Sequence, residues 1–207
     1  SWWTRDQFTF LTGMKDEFGT ELKTIAFVYE NGDWGTGFAA QWQKLAVEAG
    51  FKVVLDEPYP STATDLTPVV NKIRRAKPDV LLLTSNAADA VLITNTLSDY
   101  KVTPKVVLGS GGGHADPTFI SGTKDNAKYM FDIVEWETDV NKPGAKETNA
   151  KFKAKYGANL TGEAVDAYVA MYVIADALER SASLEPAKIR DALAATDLKT
   201  GPAAIVA

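Results

Sequence analysis

The stretch from Leu22 to Tyr59 constrains the fold more than any other part of the chain. LKTIAFVYE, NGDWGTG, FAAQWQKLAVEAG and FKVVLDEPY follow one another there. Residues 23–29 are β-branched and apolar enough for a strand buried on both faces. Residues 38–48 carry apolar side chains at helical spacing, with Gly50 as the stop. Strand, loop, helix and strand make a βαβ unit, which forces a parallel sheet with a right-handed crossover. In open parallel sheets the ligand crevice lies outside the carboxyl ends of the strands, so the loop 31–37 is the first place to look for chemistry.

The rest of the chain extends this pattern or packs beside it. Residues 2–18 place Phe8, Leu11, Met14 and Phe18 at helical spacing, and Gly19 stands where a C′ glycine belongs. After the Pro/Ser/Thr-rich loop 58–64, Asp65 suits an N-cap for a helix running through Val69, Val70 and Ile73 to Ala76, ended by Lys77-Pro78. DVLLLT at 79–84 is a second buried strand, with Ser85-Asn86 at its carboxyl end and a helix predicted over 87–99. Residues 105–108 form a strand opening into Gly109-Ser110-Gly111-Gly112-Gly113-His114, and residues 129–134 form a last short strand before the acidic, linker-like 135–143. The fold class is α/β: a doubly wound parallel sheet in flavodoxin-like order.

Beyond Pro143 the character changes. Helices are predicted over 145–156, 162–181 and 186–195, and only 203–206 reads as strand. The middle helix is apolar on most of its circumference (Val165, Tyr168, Val169, Met171, Tyr172, Ile174, Leu178), so it needs partners on more than one side. The expected organisation is therefore a complete α/β lobe over 1–135 and, over 136–207, a partial, mostly helical returning segment of a second lobe whose strands are missing. The alternative is that these helices simply cover the first sheet.

Composition removes several function classes. The net charge is −5 and Lys and Arg form no stripe, so nucleic acid is not an expected partner. With no cysteine, thiolate metal sites, disulfides and thiol catalysis are excluded. No apolar run approaches the roughly 18 residues of a membrane span. Ser1 is not followed by the basic and apolar regions of a signal peptide, so any export signal is expected to have been removed or never present.

With strand order 2-1-3-4-5, the loops 31–37 and 85–86 lie side by side and 109–114 comes next. Three stretches with glycines or small polar groups thus converge on one crevice suited to a small ligand. Trp34 is the large flat side chain among them, either a wall for an apolar ligand or a residue closing the loop on its own lobe. Gly35-Thr36-Gly37-Phe38-Ala39-Ala40 fits G-x-G-x-x-A and Asp56 ends the next strand, which opens the alternative of an NAD(P)-binding Rossmann-like oxidoreductase domain. In that fingerprint the first glycine follows the strand at once. Here 30–34 intervene and bring Asp33 and an indole to the phosphate position, so the glycines read better as a tight turn and a close helix-to-strand contact. The loop 109–113 lacks the Gly-Lys-Ser/Thr of a P-loop. His114 is the only histidine, too little for a metal site or a triad, and its plain reading is a solvated loop residue. Asp65, Asp89 and Asp116 read as helix caps or first-turn residues.

KTIAFVYENGDWGTGFAAQWQKLAVEAGFKVV, PDVLLLTSNAADAVLITNTLSDY, VVLGSGGGHADPTFI and AVDAYVAMYVIADALERSASLEPAKIRDAL, in that order, resemble the periplasmic solute-binding proteins of ABC importers in the branched-chain amino acid (Leu/Ile/Val-binding) class. The resemblance implies a type I periplasmic-binding fold of two lobes closing on a ligand, of which this chain supplies one lobe and part of the other. It implies no enzymatic activity, no cofactor and no metal. It also implies a small organic ligand, a membrane ABC permease as partner, a monomer when intact, and a periplasmic or lipid-anchored extracellular location. The implied ligand contacts are Trp34, Ser85, Asn86, Ala87, Ser110 and Gly111, with His114 beside them. Amino acid binders of this class carry an acidic residue where this chain has Gly111, so a carboxylate or aromatic metabolite is expected alongside an amino acid as solute, with Asp116 as a substitute acid if the loop folds back.

Overall fold

The computed structural model describes residues 2–206. Four strands, β1 (Thr24–Glu30), β2 (Lys52–Tyr59), β3 (Val80–Thr84) and β4 (Val106–Leu108), form one sheet in the order β2-β1-β3-β4. Every pairing is parallel, with Phe27 opposite both Asp56 and Leu82. Around the sheet run α1 (Trp2–Phe18), α2 (Asp33–Glu48), α3 (Thr67–Ala76), α4 (Ala87–Asp99) and α5 (Pro117–Thr123).

Side chains that alternate along a strand go to opposite faces, and each face has its own core. Ile25, Phe27, Val80, Leu82, Val106 and Leu108 pack under α1 and α2 through Phe8, Leu11, Met14, Trp42 and Ala46. Ala26, Val28, Leu81 and Leu83 pack under α3 and α4 through Val69, Val70, Ile73, Ile93 and Leu97. Both sheet faces are thus covered by helices from the first two-thirds of the chain. Burying each such aliphatic side chain is worth about 1.5–3 kcal/mol, and this holds the strand ends, and the loops leaving them, in place. At the opposite edge Asp79 ties the sheet together. Its carboxylate accepts from the N–H of Lys23 (2.8 Å) and Thr24 (3.0 Å) and pairs with Lys105 at 2.9 Å.

The chain divides into two compact units, residues 1–134 and 135–207. The second contains α6 (Ala145–Tyr156), α7 (Gly162–Ser181) and α8 (Pro186–Ala194). Its core gathers Trp136, Ala145, Leu160, Val165, Val169, Ala203 and Ile205, and the Trp136 indole donates to the Ile205 carbonyl at 3.1 Å. α7 opens on Thr161, whose hydroxyl accepts from the Ala164 N–H. One side of α7 stays uncovered, with Met171 65%, Tyr172 41% and Ile174 44% exposed.

Three expectations are corrected. Residues 203–206 are not a strand, because Gly201–Ile205 winds into a 3-10 turn; among the described residues this unit has no strand for them to pair with. Residues 129–134 contribute a single parallel bridge, Leu108 to Phe131, and not a full strand. The segment 31–37 is mostly helix, since α2 begins at Asp33.

Candidate functional site

The early start of α2 has a specific cause. Glu30, buried at the end of β1, accepts from the N–H of Gly32 and of Gly35, both at 2.6 Å, and so acts as the cap that the sequence lacks at position 32. Gly35 is required for this approach: a Cβ there would lie 2.0 Å from the Glu30 carbonyl oxygen. That is the helix-to-strand contact expected of the glycine pair, whereas Gly37 has nothing within 4 Å and plays no such part. The arrangement counts against a dinucleotide, because a pyrophosphate would need the N–H groups that Glu30 occupies and would meet its negative charge.

The three predicted loops do meet. Gly113 donates its N–H to the Ser85 carbonyl at 3.0 Å, and a Cβ on Gly113 would stand 2.4 Å from the Asn86 carbonyl. Gly112 lies against the Trp34 ring, at 2.5 Å from where its Cβ would be. Trp34 is half-buried and packs edge-on against Phe38. Its ring therefore closes on its own lobe and still leaves part of its surface open.

Burial separates the candidates. Ser85 and Ser110 are fully buried. The Tyr59 hydroxyl donates to Ser85 Oγ at 2.7 Å, and the Gln7 amide donates to Ser110 Oγ at 3.0 Å. Burial raises the Tyr59 hydroxyl well above its usual range, so it remains a neutral donor. Both serines thus anchor their loops to the core. Gly111 is buried too. Its φ is +68°, its N–H bonds Asp132 at 2.8 Å, and a Cβ would press on the Trp3 ring at 2.6 Å. Asn86 is exposed, Ala87 is partly so, and Gly112 at φ +53° has an N–H without a partner among the described residues. The outward face of the site is therefore Trp34, Asn86, Ala87 and the Gly112 amide, which together offer a flat apolar wall beside hydrogen-bonding groups.

His114 is the clear departure from expectation. It is buried, with its ring edge-on to Phe119 and neither ring nitrogen hydrogen-bonded among the described residues. Burial pushes its pKa down to about 4, so it stays neutral. The acids are also committed. Asp116 caps α5 through the Thr118 N–H and does not fold back over the loop. Asp89 is buried in the first turn of α4, where burial raises its pKa, the Asn86 amide bonds it and Glu30 adds repulsion. Asp33, exposed beside Trp34, has a carboxylate with no partner among the described residues.

Trp3, Gln7 and Tyr59 escape a reading of loops alone. Gln7 left one trace: a polar residue on the buried stripe of α1. No cluster of His, Cys, Asp or Glu able to hold a metal occurs among the described residues, nor does a helix long and apolar enough to cross a membrane.

Residues 3–207 match the family described as periplasmic binding protein. A Leu/Ile/Val-binding protein homolog 7 from Brucella suis biovar 1 is 31% identical over 186 residues, covering 87% of this chain and 47% of that protein. Among solved structures, a fatty acid ABC transporter substrate-binding protein from Thermomonospora curvata superposes with a TM-score of 0.80 at 18% identity, over 92% of this chain and 50% of that one. A leucine binding protein from Thermotoga maritima gives 0.79 at 19% identity, over 90% and 53%. The chain spans about half the length of these relatives.

Proposed function

Since the chain belongs to the periplasmic binding protein family, we propose that it is part of the substrate-binding component of an ABC importer, acting outside the cytoplasmic membrane. It captures a small organic solute and hands it to a membrane permease. The observation that carries this reading is the convergence of Trp34, Asn86, Ala87 and the Gly112 amide at the carboxyl edge of a parallel sheet, in a chain that matches the family from residue 3 to residue 207. This face forms one wall of the cleft. Residues 135–207 begin the second lobe, and the opposing wall is supplied by sequence outside these 207 residues. Solute held between two walls favours the closed state through contacts made only there.

The solute is an amino acid or an aliphatic or aromatic carboxylate, and Asp33 separates the two. A buried ammonium needs a carboxylate partner, and Glu30, Asp89, Asp116 and Asp132 are each bonded to neighbouring protein groups. Relatives of this fold include a leucine binder and a fatty acid binder, so the scaffold accommodates either chemistry. Calorimetric titration of a longer chain that completes the second lobe, with isoleucine, hexanoate and benzoate, tests the proposal, with NADH as the control for a dinucleotide domain. Heat from one of the three and none from NADH is the expected result. Heat from NADH alone, or from none of them, refutes it. If isoleucine binds, Asp33→Asn should weaken it at least tenfold; if only the carboxylates bind, the same change should leave them untouched. Trp34→Ala should weaken the bound solute by about tenfold, the scale of one aromatic contact.

A further inference from the structure

We propose that Gln7, on α1, is a positioning residue of this site: it holds the glycine loop 109–113 in the shape that presents the Gly112 amide. The inference rests on the reading that this loop lines the solute cleft.

The orientation of the Gln7 amide is forced. The Trp42 indole N–H can only donate, and it does so to Gln7 Oε1 at 2.8 Å. Nε2 is therefore the other end, and its two hydrogens go to the Gly109 carbonyl and to Ser110 Oγ, each at 3.0 Å. Gln7 is 1% exposed, so no water competes for these bonds. One buried amide thus joins three elements: α1, α2 through Trp42, and the end of β4. A turn earlier on the same helix, Trp3 lies over Gly111. Among the described residues the further hydrogen bonds of the loop run through the N–H groups of Gly109, Gly111, Gly113 and His114, and two of its glycines sit at positive φ. Such a backbone has many alternatives to choose from, and removing the Gln7 donors releases it.

Gln7→Glu is the informative change. It keeps shape and keeps an acceptor for Trp42, but it sets an oxygen against the Gly109 carbonyl. Gln7→Met removes both polar ends and serves if the first variant does not fold. Thr4→Val is the control: it deletes a hydroxyl bond from the same helix to Gln41 on α2. Amide exchange in the 207-residue chain is the readout. In Gln7→Glu, exchange at Gly111 and Gly113 should accelerate at least tenfold relative to Phe27 in the core, with no such selective change in Thr4→Val. Equal acceleration of loop and core, or no acceleration, would mean that Gln7 is only a packing residue and overturns the proposal. Exchange needs no solute, so this failure is distinct from that of the titrations above. Where benzoate or isoleucine shifts the Gly112 resonance in the parent chain, Gln7→Glu should weaken that probe at least tenfold, and an unchanged affinity would also overturn the proposal.

Discussion

Gly111 has no room for a side chain on two independent grounds, its φ of +68° and the Trp3 ring 2.6 Å from any Cβ. Gly111→Ala should therefore lower stability by about 1–3 kcal/mol, read as a shifted urea midpoint with an unchanged slope. His114 has a different signature. Its folded pKa of about 4 lies below the ordinary 6.5, so as pH falls the unfolded chain takes the proton first. Stability contributed by the neutral ring is complete above about pH 6.5 and is lost on descending to about 4, a change of about 3 kcal/mol from 1.36 kcal/mol per pKa unit. Urea titrations across that window should show the slope, and His114→Phe should abolish it. The position of His114 in a loop was legible in the sequence, but its burial was not, because only the fold brings Phe119 against the ring.

Between elements, the same contrast holds for α2. The apolar spacing of residues 38–48 was enough to predict its body. Its true start at Asp33 depends on the Glu30 carboxylate, which accepts from the N–H of Gly32 and of Gly35, two and five residues further on, and Gly35 and Gly37 are poor helix formers that argue for a loop. The boundaries of α1, α4, α6 and α7 agree with prediction, and α1 and α6 end at glycines in the left-handed region, Gly19 at φ +67° and Gly157 at φ +78°. Asp79 is a second inter-element device. Burial alone would raise its pKa, but Lys105 and the N–H groups of Lys23 and Thr24 outweigh it and hold the value near 2. Its stabilisation is complete above the ordinary 3.8 and is lost as pH falls toward 2. Asp79→Ala should cost about 1–3 kcal/mol for the two orphaned donors, with amide exchange rising first at Lys23 and Thr24.

At the scale of the whole molecule, the apolar side of α7 is the open question that the proposed two-lobe architecture answers. Met171→Gln and Ile174→Gln should change the stability of the 207-residue chain by no more than about 0.5 kcal/mol, as at other exposed positions, while reducing self-association in sedimentation. In a longer chain with the second lobe completed, the same pair should cost about 2 kcal/mol or more, as buried aliphatic truncations do. Hydrophobic periodicity and the handedness of crossovers are local rules, so the parallel α/β lobe, the order 2-1-3-4 of its first four strands and the three segments that meet at its edge were legible in the sequence. Which residues of those loops face outward follows from the packing of the folded lobe. Ser85, Ser110 and His114 look like contacts in one dimension and are anchors in three, since burial is set by Tyr59, Gln7 and Phe119, which approach from distant parts of the chain.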